Sequence, residues 1–350
     1  MNHASNDLII LFGGPSNERL VSVASAQHIT QILPEAKCWF WAVNGRIHSV
    51  SHEKLQAHER PFEREFSPGP GESWHDCERA FDSCSPQTVM VLALHGAGGE
   101  DGQVQRWLEE RRICFTGSSA EVSHLAFDKA AAKEVLRRNG VRVPDSAVVS
   151  GRNPAEAQEA LERLFHSTKR TVMKPVSDGS SHGIYFIDNE VSLQAALQQL
   201  KAQPEILYLC ETFIAGTELT VGVYDTENGA RPLPVSEVRL DQGRNFDYAG
   251  KYLGKGTIEL TPAEVSEEVR EAAQKVALLA HQSIGCRGYS RTDMIVDRDG
   301  PVFLEINNLP GMTRASFIPQ QLACAGISMK DFLEGQIALA RTRYEIGNPA

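Results

Sequence analysis

Apolar residues in this chain fall into short blocks separated by glycine-rich turns. Leu8-Ile9-Ile10-Leu11-Phe12 is continuous and ends at Gly13-Gly14-Pro15-Ser16, which predicts a buried strand turning into a helix that runs to about Ile32. A second block, Val89 to Leu94, ends at His95-Gly96-Ala97-Gly98-Gly99 and leads into a helix over Gln103 to Arg111. Strand, glycine turn and helix in this order predict a parallel α/β lobe with ligand groups at the carboxyl ends of its strands. Asp128 to Asn139 has helical texture and is closed by Gly140, which suits the left-handed position after a helix. Short strands separated by turns follow, at Arg170 to Lys174, Gly183 to Ile187, Ile206 to Glu211 and Glu218 to Tyr224. A long amphipathic helix is predicted from Pro262 to Ile284, then strands over Tyr289 to Val296 and Val302 to Ile306, and a helix around Met329 to Ala340. Arg60 to Ser85, rich in Pro, Gly and charge, reads as an irregular connection. There is no internal repeat, and the order suggests α/β followed by α+β units.

Length and composition narrow this picture. At 350 residues the chain exceeds the usual single core, so more than one lobe is expected. No apolar run approaches the roughly 18 to 20 residues that span a bilayer, which predicts a soluble protein with no membrane partner. The first seven residues lack a basic region and Leu8 to Phe12 is too short for a signal peptide, so the cytosol is the expected compartment. Seven scattered cysteines without a CxxC spacing suggest neither a zinc site nor a disulfide framework. A formal charge of −10 argues against general affinity for nucleic acid, while leaving room for a local basic pocket that takes a nucleotide.

Several segments carry candidate chemistry. Lys174-Pro175-Val176-Ser177-Asp178-Gly179-Ser180-Ser181-His182-Gly183 joins two predicted strands, and its small residues allow backbone N–H groups to approach a phosphate; taken alone, it reads sooner as a hairpin loop, since Gly/Ser turns are common. It is not a Walker loop, and Gly96-Ala97-Gly98-Gly99 fails the dinucleotide pattern because Asp101 stands in place of the third glycine. Glu305 and Asn307 are two apart at a strand end and so share a face, with Asp293 on the preceding strand of a predicted hairpin. Three such oxygen donors suffice for a magnesium–nucleotide site, since magnesium uses one or two carboxylates and completes its shell with water and phosphates. Arg291 shares the Asp293 face, where a cation suits transfer of an anionic phosphoryl group. Taken singly, Glu18 is an acid favoured at a helix start, His95 is a core histidine or a ligand contact, and Lys129, Lys174 and Lys251 are solvated lysines.

Together the segments carry more. Gly13-Gly14-Pro15-Ser16-Asn17-Glu18-Arg19, His95-Gly96 with Gly99-Glu100-Asp101-Gly102, Asp128-Lys129, Lys174-Pro175 with Gly179-Ser180-Ser181, Lys251-Tyr252, Arg291-Thr292-Asp293 and Glu305-Ile306-Asn307 with Pro310-Gly311-Met312-Thr313 resemble, in order, the motifs of the D-alanine–D-alanine ligase family of the ATP-grasp superfamily. The resemblance covers roughly Leu8 to Ala340. It implies a Rossmann-like α/β lobe with a parallel sheet over residues 1–118, followed by α+β ATP-grasp lobes over 119–210 and 211–345.

The resemblance also implies roles. Lys129, Lys174 and Lys251 would contact ATP phosphates together with the Ser180-Ser181 loop, Glu211 and nearby backbone would hold adenine, and Glu218 would reach the ribose. Asp293, Glu305 and Asn307 match magnesium ligands, two ions being expected, with manganese as an alternative. Glu18 matches the acid that receives the first D-alanine's ammonium, with His95 nearby, and Ser180 and Tyr252 link to it across the site. Arg291 and the Gly311 N–H would hold an oxyanion, Ser316 followed by Phe317 would face the second substrate, and Phe246 to Gly256 would be a lid. The implied reaction joins two D-alanines through an acyl phosphate, for peptidoglycan, in a chain that also has homodimerisation open to it. Departures fall at His182, Asn308 and Phe317, leaving D-serine, D-lactate or another acceptor, or a regulatory nucleotide-binding homologue, as alternatives, and Arg46 to Ser85 does not match clearly.

Overall fold

The computed structural model describes residues 7–177, 183–240 and 257–347. Its first third alternates strands and helices: β1 (Leu8–Gly13), α1 (Arg19–Ile32), β2 (Lys37–Trp41), β3 (Ile47–Val50), α2 (His52–Gln56), β4 (Ser73–Trp74), α3 (Cys77–Asp82), β5 (Val89–Leu92), α4 (Gln103–Glu110) and β6 (Cys114–Phe115). They form a six-stranded sheet in the order β4-β3-β2-β1-β5-β6. All six residues of β1 are buried, as befits a central strand with both faces covered, and β1 runs parallel to β2 and β5. The sheet is not wholly parallel. β3 follows β2 through a turn too short for a crossover, with the Gly45 N–H on Ala42 O, so it returns antiparallel. The stretch read as irregular, Arg60 to Ser85, contains β4 and α3; the Trp74 ring lies 4.6 Å from that of Trp39, and Asp76 caps α3 through the Arg79 N–H.

Two helices, α5 (Ala120–Phe127) and α6 (Lys129–Arg138), lead to a four-stranded antiparallel sheet. It comprises β7 (Ser146–Ser150), β8 (Thr171–Pro175), β9 (Tyr185–Ile187) and β10 (Leu207–Thr212), in the order β7-β10-β8-β9. Helices α7 (Pro154–Thr168) and α8 (Glu190–Ala202) cover one face; sequence reading saw only the strands here. Their apolar positions are sparse but regular, with Leu193, Ala196, Leu197 and Leu200 making one helical stripe.

A third sheet combines β11 (Thr217–Thr226), β12 (Gly229–Pro232), β13 (Ser236–Leu240), β14 (Thr257–Leu260), β15 (Tyr289–Asp297) and β16 (Gly300–Asn307). Helix α9 (Glu267–Ile284) lies on one face through Ala273, Ala277, Ala280 and Ile284. It starts at Ser266, whose side chain accepts the Val269 N–H, and not at Pro262 as the amphipathic pattern suggested. Helices α10 (Phe317–Cys324) and α11 (Met329–Gly347) return to the start of the chain, where Phe332, Leu333 and Ile337 join the core that holds β1 and β5. The carboxyl ends of β1 and β5 are thereby brought against the loop after β16. Among the described residues no helix is long and apolar enough to cross a membrane.

Candidate active site

Register on the third sheet sets the first group of side chains. Asp293 is the direct partner of both Thr220 and Glu305, and Arg291 that of Gly222 and Asn307, so two rows of residues lie side by side on the same face. The opposite face carries Leu219, Val221 and Met294 into the core under α9, leaving the polar face to the site. Thr220 donates its hydroxyl to Asp293 Oδ1 at 2.5 Å, and Arg291 grips the same carboxylate through Nε at 2.9 Å and Nη2 at 2.7 Å. Asn307 Oδ1 accepts the Leu309 N–H at 3.0 Å, and Lys129 Nζ stands 3.7 Å from Glu305 Oε2. Glu218 precedes Thr220 by two residues on the same strand face.

The second group is a buried row of charge. Lys174 on β8 stands opposite Leu209 of β10, which makes Glu211 its diagonal neighbour on the same face. Lys174 Nζ lies 2.7 Å from Glu211 Oε2, and Lys133 Nζ, from α6, lies 3.1 Å from Glu211 Oε1. Lys133 also donates to the carbonyl of Leu304 on β16, tying the central helix to both sheets. Burial alone would raise the Glu211 carboxyl, but Lys133 and Lys174 outweigh it and hold the group below its ordinary range. Burial would lower Lys174, yet Glu211 and Glu305 hold its ammonium above the ordinary lysine range. For Lys133 burial prevails over the pull of Glu211 and brings it down to about 8. The sequence reading assigned Glu211 to adenine and missed Lys133. The Glu211 carboxylate is engaged by both lysines. The available signal for Lys133 was spacing: Lys129 and Lys133 are four apart on one helix face.

The third group gathers at the ends of β1 and β5. Glu18 is buried at the head of α1, and a Cβ added to Gly96, whose φ is +68°, would stand 2.8 Å from Glu18 Oε2. His95 is held at both ring nitrogens: Nδ1 donates to Leu309 O at 2.9 Å, which leaves Nε2 to accept from Ser25 Oγ at 3.0 Å. Ser25 Oγ in turn accepts the Met312 N–H at 3.2 Å, and His28 Nδ1 donates to Met312 O at 2.7 Å. His95 therefore positions the 309–312 loop. Because Leu309 also donates to Asn307, this loop joins the Glu18 end to the carboxylate face. Asn308 bonds through Nδ2 to Glu100 O at 3.3 Å. Further along, a Cβ on Gly311 would meet Ser316 Oγ at 2.7 Å, and Ser316 Oγ contacts Thr313 Oγ1 at 2.8 Å. The Arg291 guanidinium lies 5.8 Å from the centre of the Phe317 ring, within cation–π reach.

Thus Lys129, Lys174 and Glu211 come together with Arg291, Asp293, Glu305 and Asn307, Glu18 with His95, and Gly311 with Ser316, Phe317 lying beside Arg291. Ser180, Ser181, His182, Lys251, Tyr252 and the lid segment Phe246 to Gly256 lie outside the described residues. Sequence reasoning also missed the Ser25–His95–Met312 chain, whose members are separated by 70 and 287 positions.

An antiparallel sheet carrying buried lysine and glutamate, set beside a second sheet carrying paired carboxylates, is the architecture of the ATP-grasp class. Comparison with known proteins is more specific. The family models for the D-ala D-ala ligase N-terminus and the D-ala D-ala ligase C-terminus match residues 7–118 and 135–338. The D-alanine–D-alanine ligase of Methylorubrum populi is 38% identical over 343 residues, covering 95% of this chain and 97% of that one. Among solved structures, the VanG D-Ala:D-Ser ligase from Enterococcus faecalis superposes with a TM-score of 0.79 at 26% identity, covering 96% of this chain and 99% of its own. The Bacillus anthracis D-alanine–D-alanine ligase complexed with ATP does so with a TM-score of 0.71 at 25% identity, covering 98% and 99%. The chain belongs to the D-alanine–D-alanine ligase family.

Proposed function

We propose that this protein joins two D-alanines at the expense of ATP, releasing ADP and phosphate, and so supplies the dipeptide for peptidoglycan. The observation that carries the reading is the convergence of Lys129 and Lys174 with Asp293, Glu305 and Asn307, linked through Leu309 to the Glu18 end. A carboxylate is a poor electrophile. The first D-alanine's carboxylate therefore attacks the γ-phosphorus of ATP, ADP leaves, and an acyl phosphate remains. Lys129 and Lys174 balance charge on the phosphates, while Glu18 receives the ammonium and orients the carboxylate toward ATP. The second amine, once deprotonated, attacks the acyl carbon and phosphate departs. Arg291 and the Gly311 N–H hold the oxyanion at that step, and Ser316 holds the second carboxylate.

Among the described residues no three His, Cys, Asp or Glu side chains cluster at a metal distance. The donor set here is instead two cross-strand carboxylates and an amide oxygen, the hard, oxygen-only combination that magnesium takes when nucleotide and water complete its shell. Asp293, Glu305 and Asn307 would hold the ion, which when bound neutralises charge on the transferring phosphoryl group.

The test is ADP release measured with ATP and a panel of D- and L-amino acids and D-hydroxy acids, with product masses determined. D-Alanyl-D-alanine as the main product is expected. The second reading, a D-serine acceptor, is favoured by the likeness to the D-Ala:D-Ser ligase. A product containing serine in competition with equal D-alanine would establish it. ATP hydrolysis with no product from any acceptor would remove both.

Gly311 offers a narrower check. A methyl group there would stand 2.7 Å from Ser316 Oγ and force that hydroxyl to turn away from its present place beside Thr313 Oγ1. Gly311→Ala is expected to raise the KM for the second substrate about tenfold or more, by misplacing an anchoring group, while changing the KM for ATP little. Equal changes in the two constants would dissociate Ser316 from the acceptor.

A further inference from the structure

A cavity of ≈ 320 Å³ opens between α4, β6 and α11, sharing no residue with the lysine and carboxylate groups described above. Three arginines, Arg112, Arg287 and Arg343, line it. Among the described residues none of the three has a carboxylate within ion-pair range, although the chain as a whole is acidic, at −10. The one acidic side chain on the wall, Glu109, is committed to the Ala120 N–H at 2.9 Å, at the start of α5. Asp225, which attracts Arg343 from outside the wall, is taken by the Gly288 N–H at 2.6 Å and by His281 at 3.3 Å, and Glu345 also lies within electrostatic reach of the wall at Cys114. Arg343 is half-buried, and burial followed by repulsion from Arg287 weakens its hold on its proton. Three cations against one carboxylate leave two formal positive charges around a small concavity. Like charges gathered this way repel one another, and the arrangement is relieved by a dianion.

We propose that this cavity binds a small phosphoryl anion at Arg112, Arg287 and Arg343. Guanidinium presents its N–H groups as a planar fork, matching two phosphoryl oxygens at a time, and three forks can satisfy a tetrahedral dianion that a single carboxylate would leave unbalanced. The volume sits at the small end of ligand pockets, which fits a phosphate or diphosphate group better than a whole nucleotide.

The probe is inorganic pyrophosphate, titrated calorimetrically in metal-free buffer at constant ionic strength with chloride as the balancing salt. The protein is the full chain carrying Lys129→Met, so that phosphate binding among the site lysines is weakened. One saturable site is expected. Adding Arg112→Gln and Arg287→Gln, both at exposed positions and so harmless to the fold, is expected to weaken it at least about tenfold by removing two charge-assisted contacts. Arg343→Gln, checked for native circular dichroism, is expected to weaken it likewise. Unchanged affinity in the Arg112→Gln/Arg287→Gln protein would place the anion elsewhere and overturn the proposal. So would the absence of saturable binding up to about 10 mM at physiological ionic strength, where exposed charges are already screened beyond about 8 Å.

Discussion

Glu305→Gln and Asp293→Asn are each expected to lower ADP release at saturating D-alanine by about 100-fold or more, because each removes a full negative charge from the face that would hold magnesium against the transferring phosphoryl group. Their effects on stability should differ. Glu305, at the rim of the charge network, stands 3.7 Å from Lys129 and attracts the buried Lys174 from further off, so its amide should lower the urea midpoint less than the Asp293 amide does. Asp293 accepts from the Thr220 hydroxyl and from both arms of Arg291. Its amide keeps the first contact and weakens the other two, at a cost of about 1–3 kcal/mol. Parallel measurements of ADP release and urea unfolding separate the two consequences. Near-normal turnover in either variant would remove the metal assignment, and equal stability loss in both would remove the distinction drawn between rim and clamp.

How much of this was readable in advance depended on the range of the signal. β1, α4, α6, β15 and β16 were legible because their evidence is local: continuous apolar runs, helical texture from Asp128, Gly140 at a helix end and the hairpin pattern of the last two strands. Asp293, Glu305 and Asn307 belonged to that class, since a two-residue period is enough to put side chains on one face. Helices α7 and α8 were hidden by glutamate- and glutamine-rich sequence whose apolar stripe is narrow. β3 and β4 were hidden because an antiparallel return depends on a short turn more than on strand composition. What could not be read at all was contact between distant positions. His95 looked like a core residue or a ligand contact; its work of fixing the Leu309 carbonyl across 214 positions appears only in three dimensions. Lys133 drew no reading from the sequence, and its burial follows from sheets that close over it from residues 172 to 211 and 289 to 307.

Glu211 is the residue whose loss should be felt most in the fold. Two lysines converge on its carboxylate in the protein interior, so Glu211→Gln leaves two buried cations facing a neutral amide. Removing one partner from a buried charge cluster costs about 3–5 kcal/mol, whereas Lys133→Met leaves Glu211 paired with Lys174 and loses chiefly the bond to Leu304 O, about 1–3 kcal/mol. The double variant Lys133→Met/Glu211→Gln should accordingly be more stable than Glu211→Gln alone, since only one buried cation remains. The pH dependence follows from the same residues. Lys133 is already lowered to about 8 by burial, with the attraction of Glu211 and Glu305 opposing that fall and the repulsion of Lys174 adding to it. Without Glu211 it should titrate lower still. A lysine whose folded pKa lies below its unfolded value of 10.5 is better protonated in the unfolded chain, so stability rises with pH between the two. The gap between Glu211→Gln and wild type should therefore be widest at acidic pH and narrow as pH rises toward 8, and in the double variant the part of that narrowing owed to Lys133 should vanish. Urea unfolding of the four proteins from about pH 6 to 9 reads this directly, within the span of ordinary histidine and lysine titration. A Glu211→Gln protein as stable as wild type at pH 6, or a double variant less stable than Glu211→Gln, would show that the three charges do not act as one unit.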